Sequence, residues 1–115
     1  MARRYVPAAA TSSGLPSTHK RGHEQAGRRP ALVLSPSSYN GKVGLAILCP
    51  VISQMKGYPF EVTIPAGSKV AGVVLADQAK SLDWRVRKAE FICKLSRQTT
   101  NEVLEKLGTL LGDET

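Results

Sequence analysis

Hydrophobic and polar positions follow a strand-like rhythm through most of the chain and change period near its end. Residues 31 to 35 read as a continuous apolar run closed by Pro36, the pattern of a strand buried on both faces. Ser37 to Gly41 holds the turn signal Asn40-Gly41, and Lys42 to Val51 predicts the next strand around Val43, Leu45, Ile47 and Cys49. Gln54 to Pro59 is a polar connection containing Gly57. Phe60 to Ile64 then alternates, which puts Phe60, Val62 and Ile64 on one face of a half-buried antiparallel strand. After the turn Pro65-Ala66-Gly67-Ser68 comes a strand over Val70 to Leu75. Leu82, Trp84 and Val86 alternate with Asp83 and Arg85, and Ala89 to Leu95 reads as one further strand. At the end, Thr99-x-x-Glu102 forms a capping box, and Val103, Leu104, Leu107, Leu110 and Leu111 recur at helical spacing. An amphipathic helix from about Thr100 to Leu111 follows. Many short strands with close turns and one terminal helix predict a mostly β fold, a small barrel rather than a βαβ sheet.

One stretch does not fit this rhythm. After a short basic opening, Met1 to Pro7, residues 8 to 21 are small, polar or structure-breaking, with Leu15 as the single large apolar side chain. Nothing there supplies burial to offset the entropy of ordering it, so the segment reads as loop or disorder. The chain of 115 residues is read as one domain, 1–115, with one core.

Charge adds a partner class. Sixteen Lys and Arg against nine acids leave a formal net charge of +7, a long-range field that draws in polyanions such as RNA or DNA. Three arginines and two histidines crowd positions 19 to 29, which weighs against a merely soluble basic surface. No apolar run approaches the roughly 20 residues that cross a bilayer, and no apolar signal core follows Arg3-Arg4, so no membrane partner and a cytoplasmic location are expected. Cys49 and Cys93 are too few and too far apart for a zinc pattern and read as small buried hydrophobes. No metal site and no cofactor are expected, because no His, Cys or carboxylate cluster has ligand spacing and no Gly-rich nucleotide loop is present.

The chemistry concentrates in Gly22-His23-Glu24-Gln25-Ala26-Gly27-Arg28-Arg29-Pro30, just ahead of the first apolar strand. A phosphate-binding loop mounted on a rigid scaffold has this composition. Cutting RNA without metal requires a base for the ribose 2′-OH, donors for the charge on the phosphorane and an acid for the leaving oxygen. Glu24 suits the base. Arg29, permanently charged and capable of two-pronged phosphate contact, is held in extended geometry by Pro30. A solvated turn with surface ion pairs accounts for the same charges equally well. His19 and His23 invite a two-histidine reading, which their place in or beside the irregular segment disfavours. Lys56 and Lys80 are candidate backbone phosphate contacts. Tyr58 and Trp84 are candidates for base stacking, with Trp84 assigned to the core.

Several of these residues carry a resemblance. Arg4-Tyr5-Val6-Pro7, Gly22-x-Glu24-Gln25-x-Gly27-x-Arg29-Pro30-Ala31, Leu34-Ser35-Pro36, Lys56-Gly57-Tyr58-Pro59-Phe60-Glu61-Val62 and Ala76-Asp77-Gln78-x-Lys80-Ser81-x-Asp83-Trp84-Arg85 resemble the MazF/PemK toxins from about residue 22 to the C-terminus. The resemblance implies a homodimeric SH3-like barrel of the MazF/CcdB type. It implies a metal-independent endoribonuclease that cuts single-stranded RNA at short sequences, commonly containing ACA, leaving a 2′,3′-cyclic phosphate and a 5′-hydroxyl. It also implies a MazE-type antitoxin whose acidic tail lies across the basic RNA groove. Arg29 matches the catalytic arginine and Glu24 the active-site loop. Ser53 and Gln54 fall beside the second half of the site, and Gln25, Arg28, Lys56 and Lys80 are the candidate RNA contacts. A non-enzymatic module of the same barrel type, like the gyrase-poisoning toxins, and a plain RNA-binding barrel are the alternatives.

Two departures bear on activity. At the position of the family's catalytic threonine stands Ile52, which has no hydroxyl; losing such a donor costs about 3 kcal/mol of transition-state stabilisation, a hundredfold or more in rate. Ser53 is adjacent, but neighbouring strand residues point to opposite faces. A catalytically impaired ribonuclease is therefore predicted. The second departure is residues 8 to 21, where the family has a first barrel strand. One back-translation of this segment, read two nucleotides later, gives GGDLVWLTFDPQA in one-letter code, which resembles the missing strand in register with Gly22. A compensated frameshift is the corresponding expectation.

Overall fold

The structure is a computed structural model that describes residues 7–8, 11–16 and 28–112, with the backbone alone for 11–16 and 28. Its elements are β1 (Thr11–Pro16), β2 (Arg28–Val33), α1 (Ser37–Val43), β3 (Leu45–Ile52), β4 (Glu61–Thr63), β5 (Val73–Leu75), β6 (Lys80–Asp83), β7 (Glu90–Lys94) and α2 (Arg97–Gly108), with a 3-10 turn at Ala76–Gln78. All strand pairs are antiparallel, in the order β4-β5-β3-β2-β1-β7. The eight-residue β3 holds three partners: β2, β5 at its end through Val51↔Val74 and Ile52↔Val73, and β6 at its start through Leu45↔Asp83 to Leu48↔Lys80.

Both faces of β2 are covered, as the apolar run predicts: Ala31, Leu32 and Val33 are 3% exposed or less. Leu32 enters the main core with Cys49, Val51, Val62, Val74 and Ala76, whereas Val33 packs with Ala46 and Trp84 on the other side. The helix α2 closes the main core through Val103. Each fully buried Val or Leu among them contributes roughly 1.5–3 kcal/mol by leaving water. The mostly β class with a terminal helix is what the pattern predicted. Among the described residues, however, the end strands β4 and β7 do not pair with each other, so the sheet is not closed into a barrel.

Local expectations fail where tertiary hydrogen bonds intervene. The Asn40-Gly41 signal belongs to a helix and not to a hairpin turn: α1 starts after Pro36, whose carbonyl accepts from the Tyr39 and Asn40 amides, and ends at Gly44. Gly44 takes φ +85°, a left-handed geometry that suits glycine. Asn40 is fully buried. Its Oδ1 accepts from Ser35 Oγ at 2.6 Å, its Nδ2 donates to the Pro7 and Ser35 carbonyls, and its backbone oxygen accepts from Trp84 Nε1 at 3.0 Å. That satisfied network, not turn propensity, decides the segment.

At the C-terminus the cap is Ser96, whose Oγ accepts from the Thr99 amide, so the helix spans Arg97–Gly108 and stops short of the exposed Leu110 and Leu111. The alternation through Val86 also breaks: Asp83 Oδ1 accepts from the Arg85 and Val86 amides, ending β6 in a turn that leaves Val86 exposed. Trp84 is buried, in keeping with its core assignment.

The largest correction concerns residues 8 to 21. Thr11–Pro16 is a strand, paired with β2 from Ser12↔Leu32 to Pro16↔Arg28 and with β7 from Thr11↔Lys94 to Gly14↔Glu90, with an irregularity between Ser12 and Ser13. Main-chain groups flanked on both sides by strands are satisfied whatever the side chains are, so pairing overrides a composition that lacks strand residues. Residues 9, 10 and 17 to 21 lie outside the described residues.

Candidate active site

The β2–β3 register builds the site. Ala31 pairs with Pro50, Leu32 with Cys49 and Val33 with Leu48; the same register carried two residues on sets Arg29 level with Ile52. There a cleft of about 460 Å³ opens, lined by Arg29 and Pro30 from β2, Val51 and Ile52 from β3, Ser53, Gln54 and Lys56 from the following loop, and Ala71. Arg29, Ser53, Gln54 and Lys56 are exposed and Ile52 is half-buried. Two cations and no carboxylate stand among these lining residues, so the cleft favours an anion. Arginine offers a planar fork to phosphate oxygens, lysine a point charge, and Ser53 and Gln54 add a hydroxyl and an amide. Ile52 contributes only an apolar wall.

The floor depends on a close approach that glycine permits. Gly72 precedes β5 at φ +121°, and a Cβ there would collide with the Ile52 carbonyl oxygen and its carbon. Gly72 thereby lets the chain before β5 lie directly on the Ile52–Ser53 backbone. The signal was present in Val70-Ala71-Gly72-Val73: a glycine interrupting a strand pattern marks a bulge or a close backbone contact.

The loop between β3 and β4 carries Gln54 and Lys56 and turns at Gly57, φ +81°. The Glu61 carboxylate, from the start of β4, accepts from the Lys56 amide at 3.1 and 3.2 Å and from the Gly57 amide at 3.0 Å. Lys106 Nζ, from α2, donates to the Pro59 carbonyl at 2.7 Å and reaches the Glu61 carbonyl at 3.5 Å. Met55 and Tyr58 project from the same loop, each 61% exposed. Tyr58 is thus available for stacking, and Trp84 is not.

Of the residues singled out in the sequence, Arg29, Ile52, Ser53, Gln54 and Lys56 converge in the cleft; Ser53, expected on the face opposite Ile52, lines it too because β3 ends at Ile52 and strand alternation stops there. Arg28 adjoins it in β2, described by its backbone alone. Lys80 does not line it: it pairs with Leu48, roughly 13 Å up β3 from Ile52 at about 3.3 Å per residue. Glu24, Gln25, His19 and His23 lie outside the described residues. Pro30, singled out for holding Arg29 extended, lines the cleft as well; Val51 and Ala71 do so without having been foreseen, because apolar walls have no signature apart from the core pattern. Cys49 is fully buried, and its thiol is pushed up to about 11 by that burial and secondarily by the Asp77 carboxylate, so it is an inert core residue. Among the described residues no group of His, Cys, Asp and Glu could hold a metal ion, and no helix is long and apolar enough to cross a membrane.

Comparison with known proteins identifies the scaffold. The family model of the PemK-like, MazF-like toxins of type II toxin-antitoxin systems matches residues 15–111. The endoribonuclease toxin MazF of Escherichia coli (strain K12) is 41% identical over 112 residues, covering 97% of this chain and 100% of the relative. The endoribonuclease PemK of Escherichia coli is 33% identical over 94 residues, 78% of this chain and 71% of the relative. A crystal structure of MazF from Deinococcus radiodurans (form I) matches with a TM-score of 0.85 and 56% identity, covering 96% of this chain and 100% of that one. A MazE–MazF complex from the same organism (form I) matches with a TM-score of 0.86 and 53% identity, again over 96% and 100%. With the family model spanning most of its length and a full-length relative at 41% identity, this chain belongs to the PemK-like, MazF-like toxin family of type II toxin-antitoxin systems.

Proposed function

We propose that the protein is a metal-independent endoribonuclease toxin acting on single-stranded RNA, attenuated by Ile52, and that it dimerises and binds a MazE-type antitoxin. The observation that carries this reading is the convergence of Arg29, Ser53, Gln54 and Lys56 on one cationic cleft, in a chain whose relatives are named endoribonucleases. A phosphodiester fits such a cleft through its non-bridging oxygens, with Arg29 taking two of them and Lys56 adding charge. As the 2′-oxygen attacks phosphorus its proton leaves to Glu24, whose carboxylate suits the base and which the resemblance places in the active-site loop. The bond from phosphorus to the 5′-oxygen breaks, that oxygen takes up a proton from solvent, and Glu24 returns its proton to solvent, so the step is proton-neutral overall. The products are a 2′,3′-cyclic phosphate and a 5′-hydroxyl, with no water consumed. Guanidinium and ammonium groups stabilise the added phosphorane charge as it forms. Ile52 supplies no hydrogen bond to this transition state, which is the reason for attenuation.

An antitoxin with an acidic segment would occupy the same cationic cleft by charge complementarity, and related MazF chains have been crystallised with MazE.

The test is to incubate the protein with RNA carrying all short motifs, with and without chelator, and to map the ends. Slow cleavage at a defined short sequence, insensitive to chelator and absent in Arg29→Ala, is the expected result. Binding without cleavage, even in an Ile52→Thr form, would instead identify a non-enzymatic module and sink the ribonuclease reading.

A further inference from the structure

We propose that Glu61 and Lys106 are positioning residues for the cationic cleft, a two-point clamp that sets where Gln54 and Lys56 stand and that ties the RNA site to the C-terminal helix. The inference rests on the ribonuclease reading for what the cleft binds, and on the geometry alone for the clamp.

From Ser53 to Tyr58 the backbone belongs to no helix or strand, although three of its residues, Ser53, Gln54 and Lys56, line the cleft. Lysine carries its charge on a flexible four-carbon stem, so a lysine on a free loop would spread that charge over a wide volume. Glu61 prevents this. One carboxylate receives two successive amides, Lys56 and Gly57, and so determines the direction of the chain at the residue that bears the ammonium group. Bonds to an ionised acceptor are about twice as strong as neutral ones. Gly57, at a left-handed φ of +81°, turns the chain after these amides, and the Tyr58 carbonyl accepts from the Glu61 amide to close the return.

Glu61 is itself well anchored. It opens β4, pairs with Leu75, and stands in the sheet whose next strand pairs with Ile52. Lys106 holds the other limb of the loop at the Pro59 carbonyl, from a helix seated in the core by Val103. The loop is therefore gripped from the sheet on one side and from α2 on the other. A partner that displaced α2 or recruited Lys106 would loosen the wall of the cleft without touching it.

The experiment uses the full chain and its Glu61→Ala, Glu61→Gln and Lys106→Gln variants, with Glu102→Gln as a surface control on α2. Amide hydrogen exchange at Lys56 and Gly57 reads the clamp. Binding of a non-cleavable 2′-deoxy-substituted oligonucleotide over a salt series reads the cleft, and cleavage in the Ile52→Thr background gives kcat and KM separately. In Glu61→Ala, exchange at both amides should accelerate at least tenfold with β3 amides unchanged. Oligonucleotide affinity should fall three- to tenfold with a shallower salt slope as Lys56 leaves its place. Glu61→Gln, which keeps one acceptor oxygen, should recover part of both, and Lys106→Gln should loosen the loop and weaken binding to a lesser degree.

Unchanged exchange in Glu61→Ala would overturn the clamp. So would accelerated exchange with unaltered binding, salt slope and kinetics, since the contact would then be structural only. Failure of the parent protein to bind the oligonucleotide at all would overturn the ribonuclease reading before any variant is compared, and the positioning role with it.

Discussion

Arg29 and Ile52 face the same cleft from adjacent antiparallel strands, brought level by the register that pairs Ala31 with Pro50 and Leu32 with Cys49. A permanent cation therefore stands beside an apolar side chain at the point where phosphate charge would build. Replacing Ile52 with Thr places a hydroxyl there at small volume cost. RNA cleavage should rise by about a hundredfold, the effect of one transition-state hydrogen bond of about 3 kcal/mol. Single-turnover cleavage of a mapped substrate checks it, and an unchanged rate would remove Ile52 from the site.

Gly72 should tolerate no side chain. In Gly72→Ala the new methyl meets the Ile52 carbonyl, and φ +121° is itself strained for alanine. A non-glycine residue held at such a positive φ costs about 1–3 kcal/mol before any clash is counted. Urea unfolding should show at least that loss, and cleavage in the Ile52→Thr background should fall as Ile52 and Ser53 are pushed out of place. Gly67→Ala, also at positive φ but with nothing within 4 Å of its Cβ, separates backbone strain from collision; it should cost less stability and leave cleavage intact.

The strand β1 is held by its main chain, between β2 and β7, and its sequence brings one large apolar residue, Leu15. Exchanging residues 9 to 21 for Gly-Gly-Asp-Leu-Val-Trp-Leu-Thr-Phe-Asp-Pro-Gln-Ala supplies β-branched and aromatic residues at the same pairing positions. The expected gain is on the order of several kcal/mol, seen as a melting temperature raised by ten degrees or more. Equal melting temperatures would show that the small residues already meet the packing needs of this strand. The codons of the gene test the frameshift expectation separately.

Cys49 makes stability sensitive to alkaline pH. Its folded-state thiol lies at about 11 against an ordinary 9.0, so the fold retains a proton that the unfolded chain gives up first. This contribution is complete below pH 9 and is lost as pH rises from there through 11, by on the order of 3 kcal/mol in total. Urea midpoints at pH 8 and pH 10.5 should diverge more for the parent protein than for Cys49→Ala. An equal pH dependence in the two would show that other groups, lysines and tyrosines among them, account for it.

Much of this molecule is legible from local pattern. The apolar run at 31 to 35 is a strand covered on both faces, the alternation at 60 to 64 places Val62 and Ile64 in the core, and the helical period near the end yields α2 within a few residues. Arg29, Ser53, Gln54 and Lys56 were candidates on chemistry and family motif, and they meet in one cleft. Side-chain period and residue chemistry are properties of short segments, so a short segment suffices to reveal them.

What local pattern does not contain is which main-chain groups meet. Thr11–Pro16 becomes a strand because β2 and β7 offer partners on both sides, and Asn40 enters a helix because Ser35, Pro7 and Trp84 satisfy its polar atoms from elsewhere. Lys80 and Lys56 look alike as charges in a chain, yet the register of β3 sends one away from the cleft and Glu61 holds the other at it. The elements and the chemical repertoire thus follow from the amino-acid order, whereas the composition of the site was decided by strand register, the close approach at Gly72 and long-range hydrogen bonds. Those contacts join residues far apart in the chain, and their energies exist only once both partners are in place.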